Sequence, residues 1–293
     1  MLSHYHVEVN PDDENNSHSL ILRMVGFNKR VLEAGCSSGH VSKALKAREC
    51  RVVGVEIDPI AAESAKQWLE RIVVGNLEDV EVWDQLDGEF FDVIVFGDVL
   101  EHLRDPLAAL RKSLQYLQPG GTVVVSVPNI AHADIKIALL NGEFPYADSG
   151  LLDRTHVHFF TKETLLDLLR EAGLAPVEFC RATAPVFTTE IGVEAGDVDD
   201  QVLKAALVER EAETYQFVVK AVRDNDTSAL ENLSKDLIEL NDQLRDATRR
   251  NGALQTHYDA QVAEIAELRS ELDLLKRMIP RPLRKLGRMM RRS

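Results

Sequence analysis

The stretch from Val31 to Asp58, VLEAGCSSGHVSKALKARECRVVGVEID, limits what this chain can fold into more than any other part of it. The apolar run Arg30 to Ala34 reads as a buried parallel strand. A glycine-bracketed turn, Gly35 to Gly39, follows, and Val41, Ala44 and Leu45 then recur at helical spacing. A second apolar run, Val52 to Ile57, ends in acid. The pattern predicts a βαβ unit whose first turn is suited to an anion or a dipole.

The same alternation continues. Pro59 sits at a good first helical position, and Ile72 to Val74 and Phe90 to Phe96 read as the third and fourth strands. Asp105 and Pro106 start a helix with Leu107, Leu110, Leu114 and Leu117 on one face. Pro119-Gly120-Gly121 is expected to end it, with Thr122 to Val127 as the fifth strand. Upstream, Ser17 or Ser19 is expected to cap a short helix running to Val25. These lengths predict an α/β fold with a doubly wound, mostly parallel sheet. Gly35, Glu56, Asn76 and Asp98 then share one strand-end edge, where such sheets bind ligands.

Beyond Pro128, Ile135 to Leu140 looks helical and Asn141 to Thr155 reads as a loop. Thr161 caps an amphipathic helix (Leu165, Leu166, Leu168, Leu169) that Gly173 closes. Val177 to Cys180 and Gln216 to Val222 are the expected last strands, around an insertion with a helix over Val202 to Thr214.

After Arg223 the pattern changes. Leu230, Leu237, Leu244, Asn251, Tyr258, Ile265, Leu272 and Ile279 recur every seventh residue, with a second series three residues later. Such a repeat predicts a coiled coil about 75 Å long, and Asn251 at a core position favours a parallel homodimer. The division is therefore 1–223 as the α/β domain, 224–279 as coiled coil and 280–293 as a basic tail. That tail carries Leu283, Leu286 and Met290 among six basic residues, a pattern open to a membrane surface, a partner protein or solvent alone.

Charge and cysteine content exclude some functions. The net charge of −14 argues against nucleic acid as partner. Cys36, Cys50 and Cys180 are too scattered for a disulfide framework or a CxxC metal site. Spacing along the chain shows no set of metal ligands, so no metal is expected. The acidic start, without signal-peptide design, and the lack of a long apolar run point to a cytoplasmic location, with the tail at most peripheral to the membrane's inner face.

A glycine turn alone is weak, and Glu33-x-Gly35-x-x-x-Gly39 lacks the dinucleotide spacing. Its companions add specificity. Glu56 ends the second strand, where a carboxylate can accept both ribose hydroxyls. Asn76 and Leu77 offer an amide and an apolar face suited to adenine, and LQPGGTVVVSVPN contains the fifth strand. Together these residues resemble the class I S-adenosylmethionine-dependent methyltransferases over residues 17 to 222. Glu33, Gly35 and Gly39 match the family's first motif, Glu56 its ribose acid, and Leu117 to Gly121 its LxPGG element. Ser37-Ser38 and Asn76 depart from the commoner residues; an amide oxygen can still accept from adenine.

The resemblance implies an S-adenosyl-L-methionine site formed by Glu33, Gly35, Cys36, Gly39, Glu56, Ile57, Asn76, Leu77 and Asp98. Within that set Cys36 reads as a small packing residue rather than a nucleophile, and Asp98 either lines the methionine end or starts a helix. The stretch LLDRTHVHFFT resembles small-molecule O-methyltransferases of quinone and polysaccharide methylation. A hydroxyl acceptor needs a base, and histidine titrates in the right range. His156 is the first candidate and His102 the second, with His132 and His158 near the same edge. Each could equally be structural. Tyr146, Asp153, Arg154 and His158 are candidate acceptor contacts, and His4, Tyr5 and His6 a candidate flap. The expected acceptor is a sugar or glycan precursor, with a glycosyltransferase as a conceivable neighbour of the tail. The alternatives are a quinone or other small aromatic, or an inactive scaffold.

Overall fold

The computed structural model describes residues 13, 15–194 and 198–224; the heptads, the basic tail and the candidate flap lie outside the described residues. Helix α1 (Ser17–Val25) precedes strand β1 (Arg30–Ala34), helix α2 (His40–Ala47) and strand β2 (Arg51–Glu56). Helix α3 (Pro59–Ala65), strand β3 (Arg71–Val74), helix α4 (Val80–Asp84) and strand β4 (Phe91–Gly97) follow. Helix α5 (Pro106–Ser113) leads to strand β5 (Leu117–Pro128) and helix α6 (Ala133–Leu140). Helix α7 (Lys162–Glu171), strand β6 (Leu174–Thr183), helix α8 (Asp200–Ala206) and strand β7 (Thr214–Arg223) complete the domain.

One seven-stranded sheet runs in the order β3-β2-β1-β4-β5-β7-β6. The first five strands pair in parallel, with Leu32 opposite Val53 and Ile94, and β7 runs antiparallel between β5 and β6. Because parallel strands are covered on both faces, their sequences are apolar without alternation. On one face Leu20, Ile21 and Met24 of α1 and Val41 and Leu45 of α2 pack against Val31, Val52, Val93 and Val124. On the other, Trp83, Leu110, Leu165 and Leu169 cover Leu32, Val53, Ile94, Val125 and Phe217. Each buried leucine of α7 contributes about 2 kcal/mol of transfer free energy, so the face rather than helix propensity holds this helix.

Several local expectations need correction. Asn16, not Ser17 or Ser19, caps α1, its side chain accepting from the His18 and Ser19 amides. Asp105 caps α5 as expected, but the helix stops at Ser113, and a 3-10 turn over Leu114–Tyr116 uses the rest of the apolar face. Leu117 already belongs to β5, and Pro119-Gly120-Gly121 lies within that strand, where the pairing with β4 slips between Phe91 and Val93. A side chain at Gly121 would lie 2.8 to 3.0 Å from Leu117, the Gln118 carbonyl and the Asp92 carbonyl, so the slip needs glycine there. Helix α4 went unread, yet its Trp83 is buried and donates to the Leu77 carbonyl at 2.7 Å. In the insertion the helix is α8, ending at Ala206, earlier than expected.

Candidate active site

The C-terminal ends of β1, β2, β3 and β4 bring Gly35, Glu56, Asn76 and Asp98 to one edge, as their sequence positions imply. The turn after β1 is built by backbone necessity. Gly35 (φ 76°) and Gly39 (φ 85°) are left-handed, and a side chain at Gly35 would sit 2.4 Å from a Val99 methyl. The turn therefore leans on the β4 exit.

Its amides are used internally. Gly35 and Cys36 both donate to the Val55 carbonyl, at 2.8 and 3.0 Å, and Gly39 donates to the Cys36 carbonyl at 2.9 Å. Ser37 donates to Glu56 Oε2 at 2.7 Å. Four amides of the turn thus have internal partners. They are spent holding the turn in shape.

Glu56 fits its expected role better. Its two oxygens each accept one amide, from Ser37 and from Asp58 (2.8 Å), which holds the carboxylate at the strand end. A carboxylate offers about four acceptor positions, so capacity for two ribose hydroxyls remains. Beside it Ile57 is 64% exposed, an unusual state for isoleucine and suited to an adenine face. Asn76 is half-buried and accepts the Glu78 amide at 3.0 Å, while Leu77 is buried.

Glu33 and Cys36 lie behind the turn. The Glu33 carboxyl is buried and accepts the Ser42 hydroxyl of α2. Burial, more than the neighbouring Glu56 charge, pushes it up to about 8, so it is protonated at neutral pH. It therefore braces α2 against β1 rather than meeting a ligand as an anion. The Cys36 thiol fills the space above Gly54 and is pushed far up by burial, which makes it packing and no nucleophile. Asp98, at φ 56°, is held by the Ser126 hydroxyl and by the Gln216 side-chain amide at 2.6 Å. The Ser126 anchor follows from the parallel pairing of β5 with β4, whereas the Gln216 anchor was invisible to sequence reasoning because the antiparallel placement of β7 beside β5 creates it.

The acceptor side is assembled differently. Val157 and His158 donate their amides to the Glu101 carbonyl at 2.8 and 3.0 Å, which ties the loop before α7 to the β4 exit. The His102 and His156 rings then meet edge to face at 4.8 Å between centroids. Burial and the neighbouring His102 lower the His156 pKa, so its imidazole is neutral at pH 7. His102 Nδ1 faces the Thr155 hydroxyl at 3.1 Å. Glu101 went unread; it is buried, with its pKa raised well above the carboxylate range by burial and by Asp98. A lone acid between Leu100 and Leu103, both buried, was the available signal.

Other candidates take structural places. Asp153 is buried, and its Oδ1 accepts the Thr155 amide (2.8 Å) and hydroxyl (2.6 Å), so it shapes the loop instead of touching an acceptor. His158 Nε2 faces the Arg104 carbonyl at 3.1 Å, and Arg154 pairs with Asp148 at 2.8 Å on the surface. His132 is fully buried, its Nδ1 accepting the Asp134 amide and its Nε2 facing the Ala184 carbonyl. Tyr146 stays a surface candidate, 55% exposed, with its ring 5.0 Å from Phe144, which in turn meets the exposed Phe159. Sequence spacing offered no ligand set, yet folding brings atoms of Glu101, His102 and His156 within 4.8 Å of one another.

Comparison with known proteins agrees with this geometry. Residues 14–179 match the family model described as a methyltransferase domain, and the chain belongs to that family. A ubiquinone biosynthesis O-methyltransferase of Cereibacter sphaeroides is 30% identical over 153 residues, spanning 51% of this chain and 61% of that protein. The Ruegeria pomeroyi protein of the same name is 32% identical over 155 residues, with the same two shares. The chain thus spans about three fifths of the length of these relatives. A Bacillus halodurans structure of methyltransferase type shares the fold, with a TM-score of 0.50 over 71% of this chain and 98% of that one, at 15% identity. Among the described residues no helix is long and apolar enough to cross a membrane.

Proposed function

We propose that this chain is an S-adenosylmethionine-dependent O-methyltransferase acting on a hydroxylated aromatic ring of the quinone-precursor kind. The observation that carries the cofactor reading is Glu56, fixed by two amides at a parallel strand end beside exposed Ile57. S-adenosylmethionine supplies an electrophilic methyl group on a sulfonium. The chain's part is to bind, orient and exclude water. Glu56 takes the ribose, Ile57, Asn76 and Leu77 the adenine, and the turn from Gly35 to Gly39 forms the wall. On the acceptor side the neutral His156 imidazole, with His102 against it, stands where the proton of a hydroxyl can be received.

The aromatic acceptor replaces the glycan expectation for two reasons. The relatives named above are ubiquinone biosynthesis O-methyltransferases. The acceptor-side surface carries Phe144, Tyr146 and Phe159 as a contiguous aromatic group, while the polar groups expected to hold a sugar, Asp153 and Arg154, are occupied. The test is transfer of a labelled methyl group to paired acceptors. A phenolic acceptor should take label with a rate that falls when His156→Ala is introduced. Label on a sugar hydroxyl instead would restore the glycan reading, and binding of cofactor without transfer to any acceptor would favour the scaffold. The heptad dimer is a separate proposal: chain 1–223 should sediment as a monomer and the full chain as a dimer. Adding anionic vesicles to the full chain and to a chain ending at 279 tests the basic tail as a membrane contact.

A further inference from the structure

We propose that Glu190, in the connection between β6 and β7, is a positioning residue for His156, holding the loop that carries this ring against β7. Its carboxylate is shared between two segments far apart in the chain. Oε1 accepts the Leu151 amide at 2.5 Å, and both oxygens lie 3.1 Å from the Tyr215 hydroxyl that donates to them. Tyr215 stands at the start of β7, where its carbonyl accepts the Asn129 amide at 2.9 Å just past β5. Bonds to a carboxylate are stronger than neutral ones, so this side chain ties the acceptor loop to the sheet. Glu190 is exposed, but its neighbour Ile191 is buried among Ile135, Leu151 and Leu152, which keeps the carboxylate in place.

The loop is shaped for this contact. Gly150 is left-handed at φ 92°, and a Cβ there would run into the Glu190 carboxylate and lie 2.9 Å from the Tyr215 hydroxyl. Glycine at this position is what lets the carboxylate reach the next amide. From there the constraint passes along short bonds. The Asp153 amide donates to the Gly150 carbonyl at 3.3 Å, and the His156 amide donates to the Asp153 carbonyl at 3.0 Å. The Ala147 amide closes the same loop on the Leu152 carbonyl at 3.0 Å. Burial lowers the His156 pKa, and the Leu151 main chain opposes this, which puts it against the ring. Among the described residues none bonds His156 Nδ1, which is buried. The ring therefore takes its place from the loop and from its edge contacts with His102 and Phe159.

That His156 receives the acceptor's proton rests on the methyltransferase reading; that Glu190 sets the place of the ring does not. The two meet in the rate, because a reacting group displaced by about 1 Å can lose on the order of 100-fold.

The experiment uses the full chain with 13C-labelled histidine, whose nine residues are few enough to resolve, the His156 signal being assigned from His156→Ala. In Glu190→Ala the His156 ring signal should move or broaden while that of His40, on α2, stays in place. Glu190→Gln keeps an oxygen for the Leu151 amide and should leave both signals unchanged. Tyr215→Phe loses only the bond to β7 and should move the His156 signal less than Glu190→Ala does. A His156 signal unmoved in both Glu190→Ala and Tyr215→Phe would overturn the proposal, as would a His40 signal that moves equally, since the fold as a whole would then have loosened. Methyl transfer from S-adenosylmethionine to catechol is measured on the same samples. Glu190→Ala should lower kcat by about 10- to 100-fold with the KM for S-adenosylmethionine within threefold, and Glu190→Gln should restore it. In a His156→Ala background the further loss from Glu190→Ala should be less than about twofold, because the two act as one unit. The full loss in that background would overturn the proposal by placing the action of Glu190 elsewhere. A His156 signal that moves as expected, in a chain whose transfer His156→Ala leaves unchanged, would uphold the positioning and remove His156 as the base.

Discussion

The two sides of the site satisfy their polar groups in opposite ways. On the cofactor side, around the ends of β1 and β2, nearly every polar atom has an internal partner: Gly35 and Cys36 on Val55, Ser37 and Asp58 on Glu56, Ser42 on Glu33. On the acceptor side, between the β4 exit and the loop before α7, Glu101 Oε2 and His156 Nδ1 are buried with no partner. A surface that binds one invariant cofactor can be finished in advance, and its internal bonds remove the cost of ordering it during binding. A surface where chemistry occurs keeps atoms unsatisfied until a proton, a cation or a substrate arrives.

The sharpest way to break this contrast starts with the largest expected effect. Glu33 is protonated in the folded chain up to about 8 but ionises near 4.5 when unfolded. The folded state holds the extra proton, so this contribution is intact below about pH 4.5 and is lost as pH rises through about 8. At 1.36 kcal/mol per pKa unit the change is on the order of 5 kcal/mol. Thermal melts should therefore show stability declining from pH 5 to 8, and Glu33→Gln should flatten that decline. An unchanged slope would mean that Glu33 is not buried behind the turn.

Next, Glu56→Ala removes the acceptor for the Ser37 and Asp58 amides as well as the proposed ribose contact. A loss of about 3 kcal/mol, near 100-fold in cofactor affinity by calorimetry, is expected with the fold retained. Affinity within threefold of wild type would separate Glu56 from the cofactor. Gly35→Ala should cost about 1–2 kcal/mol of stability, because the left-handed φ of 76° and the Val99 methyl both oppose a side chain. Adding Val99→Ala should recover only the steric part. The smallest effect belongs to the aromatic surface. Phe159→Ala should raise the acceptor KM by less than 10-fold while the cofactor affinity stays fixed; a fall in cofactor affinity instead would place Phe159 on the wrong side.

The legibility of the sequence divides along the same line. Strands β1 to β4 and the site residues at their ends follow from local rules, since each is an apolar run closed by a polar or glycine residue. Thr161 and Asp105 were readable as caps for the same reason. What escaped depends on partners distant in sequence. His132 carries a reactive group, but its role is set by the Ala184 carbonyl, 52 residues away, which folding alone brings to it. Glu101 was missed because nothing near it in sequence marks its burial, which comes with the loop from Thr155 to His158 that bonds its carbonyl. The slipped start of β5 escaped because Pro-Gly-Gly more often ends an element than lies inside one.

A crystal structure of the full chain with S-adenosylhomocysteine bound tests the central claim most directly. The account predicts both ribose hydroxyls on the Glu56 carboxylate, adenine against Ile57 with Asn76 and Leu77, and no rearrangement of the Gly35–Gly39 turn. A nucleoside bound away from Glu56, or a turn that must break its bonds to Val55 to admit it, would contradict a cofactor side finished in advance.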